Sequence, residues 1–284
     1  MALNLHVADT LGYDTDNFPA IINAASTIAA SDEGFVASLR NVLDLFIRSG
    51  KVLKTSIFRM NRSIKVSEME KYVNDHTLVV KSVENLNYFD VQDIGVDKPY
   101  GMKQKYITVI DTLNQILHDL DAEAMMNIAI KSFTKIREQY LRDEDITKES
   151  SELYTTLNVK RGMLDKAAKD LKALFVQGDQ GAKFKDMFGS MEEFRTVKIK
   201  TIEAEQYLNS AKVLSERADV LVGTLGDITA LKDSKLSTSL KTQLAESALL
   251  MARICDTYGT CATHVMAVAH NLTLVYNALY AKVK

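Results

Sequence analysis

A chain of 284 residues in which Lys plus Arg number 35 against 37 for Asp plus Glu carries a net charge of -2, so no global field draws it to nucleic acid or to an anionic membrane. The absence of tryptophan and an aromatic content of 7% remove the usual stacking platforms of single-strand binders. Two cysteines in such a length exclude a disulfide framework and point to a reducing compartment.

The length suffices for one elongated domain or two compact ones that bury their apolar side chains without staple or metal. The opening stretch, MALNLHVADTLGYD, has neither a basic nor an apolar region of the kind a secretory signal needs. The longest purely apolar run, about five residues as in VMAVA, is far below the roughly 20 that span a bilayer. The expected location is therefore the cytoplasm, or a virion assembled there, with no membrane span.

Residues 17–30, with Asn17 as cap and Pro19 in the first turn, predict a short buried helix. A second follows over 31–50, opened by Ser31 and the acids of its first turn and stopped by Gly50. The next segment is basic: Arg48, Lys51, Lys54, Arg59, Arg62 and Lys65 alternate with Ile57, Phe58 and Met60. Such a cluster is either a solvated helix face with inter-subunit ion pairs, or a contact for an acidic partner or a nucleic-acid phosphate. The Gly50–Lys51 pair is not a phosphate loop, because Leu45 and Val52 stand where a glycine and a hydroxyl residue are required. Ser67 and Glu70 form a capping box that opens a helix to about residue 86.

The helical period then fails. Residues 87–103 contain Gly95, Pro99 and Gly101 and mix aromatic with acidic side chains, which predicts a long ordered loop or a short hairpin. Tyr88, Phe89 and Tyr100 beside Asp90, Asp93 and Asp97 have the character of a protein contact surface, aromatic within a polar rim. Beyond it, 103–120 predicts a helix burying Tyr106, Val109, Ile110, Leu113, Ile116, Leu117 and Leu120, and another begins after Asp121.

The segment 147–177 reads as one long helix whose only weak point is Gly162. Glycines 178, 181 and 189 break it. A capping box of Ser190 and Glu193 opens a second long helix to about 224, and two long helices joined by such a turn favour an antiparallel hairpin. Gly223 and Gly226 then separate that hairpin from a more apolar pair, 236–256 and 260–283. The expectation is an all-α, elongated multi-helix bundle of nine or ten helices with long antiparallel helices in the C-terminal half. Its expected division is into a helical region at 1–143 and a long-helix bundle at 144–284.

The stretch CDTYGTCATHVMAVAH concentrates Cys255, Cys261, His264 and His270. On a continuous helix these lie at about 0°, 240°, 180° and 60°, so they do not converge on one ion. The expectation is two small buried cysteines near a helix–helix turn at Tyr258–Gly259, with no metal and no cofactor. Acids at 142–152 and the pair Glu203 and Glu205 point apart into water rather than pairing for catalysis. No Glu stands three residues before any histidine, so the di-iron bundle motif is absent.

Without a catalytic constellation, the expected function is non-enzymatic: a helical subunit that works by packing against copies of itself or other proteins. In composition and helix content the chain resembles helical components of tailed-phage virions, such as scaffold, neck or internal proteins. That resemblance implies a role in assembly. One alternative is an α-helical pore-forming or membrane-remodelling protein with 262–283 as its apolar segment, weakened by His270, Lys282, Lys284 and two asparagines. Another is an enzyme whose site converges only in three dimensions.

Overall fold

The computed structural model describes residues 83, 85–97, 99, 101–174, 181–230 and 236–283. The helices expected over 17–30 and 31–50, most of that over 67–86 with its Ser67 cap, and Gly178 lie outside them. So does most of the expected N-terminal region 1–143 up to residue 82.

The described residues are predominantly helical. In chain order they form α1 Tyr88–Val91, β1 Gly95–Val96, α2 Tyr106–Leu120, α3 Ala122–Leu141, α4 Thr147–Asn158 and α5 Arg161–Leu174. There follow β2 Ala182–Lys183, α6 Phe184–Met187, α7 Met191–Glu203, α8 Glu205–Ala230 and α9 Thr238–Val283. Among the described residues, seven helices have twelve residues or more, not nine or ten. Two expected helices are split and two are merged.

The first split falls at Val159 and Lys160, two residues before Gly162, where the Lys160 amide donates to the Leu157 carbonyl at 3.0 Å and closes a turn. The second is at Ala204, wholly buried, whose amide donates back to Lys200 at 3.0 Å; no glycine or proline marks it. Gly223 and Gly226 do not end α8. A Cβ built on either meets nothing within 4 Å, so they lie on an open side of the helix, at a cost of up to about 1 kcal/mol each relative to alanine.

The merger concerns the C-terminus. α9 runs through Gly259 without a break, and the expected turn at Tyr258–Gly259 is absent. The reason is tertiary. Residues 247–255 are all buried, as are 261–265, and at 100° per residue either run covers every side of the helix. A helix buried all round is a core element, and that burial outweighs the roughly 1 kcal/mol that one internal glycine costs.

The chain groups into two compact units. One contains Ala124–Gly162 and Arg217–Ile254, with Met126, Phe133, Ile136, Leu153, Leu157, Leu221 and Leu244 in its core. Ion pairs tie its helices: Lys135 to Glu149 at 2.7 Å, Arg137 to Asp227 at 3.1 Å and Arg161 to Glu246 at 2.8 Å. The other contains the described residues up to Glu123, then Met163–Glu216 and the chain from Cys255.

The core of this second unit is aromatic. Phe184, Phe188 and Phe194 are fully buried, and their ring centroids lie 5.0 to 5.7 Å apart. Tyr106 joins at 5.2 Å from Phe188 and Tyr276 at 5.0 Å from Phe194. The buried face of α2 is Tyr106, Val109, Ile110, Leu113, Ile116, Leu117 and Leu120, the stripe its period predicts. Ser190 caps α7 by accepting from the Glu193 amide at 3.0 Å, while the Glu193 carboxylate takes the Gly189 amide at 2.9 Å, one residue earlier than a capping box places it.

Candidate interaction surface

The segment 87–103 is not a hairpin. Asn87 opens α1 by accepting the Phe89 amide on its side chain at 3.0 Å, as a cap residue does. After one turn the chain enters β1, which pairs antiparallel with β2: Gly95 faces Lys183 and Val96 faces Ala182. The pairing continues as hydrogen bonds from Phe184 to the Ile94 carbonyl and from Lys185 to the Gln92 carbonyl, both 2.9 Å. The loop is thus stitched to a segment some ninety residues later in sequence.

This stitching sorts the candidate contact residues. Val91, Val96 and Pro99 are buried. Tyr88 is half-buried, its ring 6.1 Å from that of Phe184 and 5.9 Å from that of Phe89. Phe89 stands out at 76% exposure, the highest among the large exposed hydrophobics of the described residues. Tyr100 lies outside the described residues, as do Arg48, Lys51, Lys54, Arg59 and Arg62. Of the nearby acids, Asp93 accepts from Lys185 at 2.8 Å and from Lys183 at 3.3 Å, and these two ammonium groups hold its carboxyl below the usual carboxylate range. Asp90 and Asp97 are exposed and make no ion pair among the described residues. The result is a knuckle: a protruding phenylalanine on an aromatic base, with Asp90 next to it in sequence and the Asp93–Lys183–Lys185 cluster where the paired strands meet.

Lys183 and Lys185 have no sequence signal as partners of Asp93, because the pairing is made by strand register rather than by spacing along one element. A groove of about 330 Å³ beside α2 and α5 is equally silent in sequence. Asp111, Asp119, Asp170, Lys166 and Met163 line it over Ile116, Leu120 and Ala167. Two of its acids are engaged within the chain: Asp111 pairs with Lys200, and Gln115 donates to Asp119 at 2.7 Å.

Cys255, Cys261, His264 and His270 sit on one continuous helix and do not come together. The first three are buried and His270 is exposed. Burial pushes the Cys255 thiol up to about 12 and the His264 imidazole down to about 4, so at neutral pH the thiol is protonated and the imidazole neutral. Among the described residues no group of three or more His, Cys, Asp or Glu side chains converges as a metal site.

No described helix is long and apolar enough to cross a membrane. In the proposed pore segment, Leu272, Val275 and Leu279 are fully buried. So is Asn271, whose side chain hydrogen-bonds to Tyr106. Comparison with protein-family models, curated proteins and solved structures returns no match.

Proposed function

We propose that the chain is a non-enzymatic assembly protein, a helical subunit that works by docking its surface on other protein chains. The observation that carries this reading is Phe89. It is presented at 76% exposure on a capped, strand-anchored turn, and an exposed aromatic on an ordered turn is what protein interfaces use as an anchor. Scattered exposed apolar side chains need no explanation. A large aromatic side chain, fixed by a cap, two strands and a ring contact, is a different case. The tailed-phage form of the proposal rests on composition and helix content.

The test is the native mass of the full chain by sedimentation equilibrium across a wide range of concentration. The expected result is a multiple of 31.7 kDa that dissociates on dilution. A species fixed at 31.7 kDa over the whole range contradicts self-assembly.

A further inference from the structure

From the knuckle we infer that the partner docked on Phe89 is a second copy of this chain, related by a two-fold axis, with Asp90 of each copy facing Lys183 of the other. The inference rests on the assembly reading and names its partner. A two-fold contact uses one patch twice, so that patch must be complementary to itself. Most one-sign patches fail this condition, because like charges meet across the axis.

The patch around Phe89 meets it. Its centre is apolar and able to stack on its own copy, with Phe89 continued by Tyr88 and, beneath it, Phe184. The neighbouring chain segments carry both signs, with Asp90 beside Phe89 in sequence and Lys183 on the strand paired with β1. The internal pairing is also unbalanced: two ammonium groups, from Lys183 and Lys185, share the single oxygen Oδ1 of Asp93, while Asp90 has no ion pair among the described residues. The longer of the two contacts, 3.3 Å for Lys183 against 2.8 Å for Lys185, marks Lys183 as the cation to be shared. With its side chain 54% exposed, Lys183 reaches a carboxylate across the axis while Lys185 keeps Asp93 satisfied.

The experiment uses the full chain and three variants in sedimentation velocity, with helix content checked by circular dichroism. Phe89→Ser removes the anchor at a site too exposed to affect folding. Asp90→Lys and Lys183→Glu each set like charges against each other in a homodimer, and each is expected to raise the dissociation constant about tenfold or more. When the two variants are mixed, the introduced lysine of one copy faces the introduced glutamate of the other in one half of the contact, and the other half keeps the original pair of Asp90 with Lys183. The mixture is therefore expected to form a heterodimer with near wild-type affinity.

A wild-type oligomer that ignores Phe89→Ser overturns this inference and leaves the assembly reading standing. An oligomer lost in Phe89→Ser but not restored in the mixture overturns the two-fold pairing. A wild-type chain that is monomeric throughout overturns this inference and the self-assembling form of the reading on which it rests.

Discussion

The C-terminal helix α9 and the knuckle around α1 are built in opposite ways. α9 takes its structure from a local pattern within one helix of 46 residues, and its energy from stretches such as 247–255 and 261–265 that are buried on every side. The knuckle has four helical residues and two strand residues, too few for either element to be stable alone. It exists because Gly95 and Val96 find Lys183 and Ala182, and because Phe184 offers Tyr88 a ring to lean on. The first region is a core that interaction with water destroys. The second is a surface that the core holds in place, and its exposed tip contributes little to folding.

That contrast sets the order of expected effects. Leu272→Ala, at a fully buried position of α9, should cost about 2 to 5 kcal/mol by lost transfer energy and cavity formation. Denaturant titration measures this, and a change below about 0.5 kcal/mol, the size of an ordinary surface substitution, would show that α9 is peripheral.

The next effect is a pH dependence seated in the same helix. His264 has its folded pKa lowered to about 4 from 6.5, so between these values the unfolded chain binds the extra proton and the folded chain does not. Stability from this residue is therefore intact above pH 6.5 and falls as the pH is lowered towards 4, by roughly 3 kcal/mol in all. Melts of wild type and His264→Phe at about pH 7.5 and about pH 5, on either side of the ordinary imidazole value, should show a smaller acid loss in the variant. Equal losses would place the imidazole in water.

Smaller still is the gain from α8, where Gly223→Ala and Gly226→Ala together should raise stability by about 1 to 2 kcal/mol, since the added methyls meet nothing. A lower melting temperature would mean that those positions are covered. Phe89→Ser should leave the stability of the isolated chain within about 0.5 kcal/mol of wild type; a large loss would move Phe89 from the surface to the core and erase the contrast.

The same contrast explains what the sequence made legible. The buried stripe of α2, the Ser190 cap and the apolar run of α9 follow from spacings within one element, which a helical period of about 3.6 residues exposes directly. The join at Gly259 and the split at Ala204 did not follow: a glycine at a buried position of a helix is tolerated, and at Ala204 no breaker residue announces the interruption. Tyr88 and Phe89 stood out in the sequence as aromatic side chains among acids. Their separation into a half-buried support and an exposed tip did not, since it depends on β2 and Phe184, some ninety residues away. Lys183 and Lys185 were invisible for the same reason.

Hydrogen exchange read at low and high protein concentration tests the central claim most directly. If the knuckle is the assembly surface, backbone amides of 88–96 and 183–185 exchange more slowly at high concentration, while those of 247–279 in α9 are equally protected at both. Protection that rises with concentration elsewhere and leaves 88–96 unchanged would contradict the account.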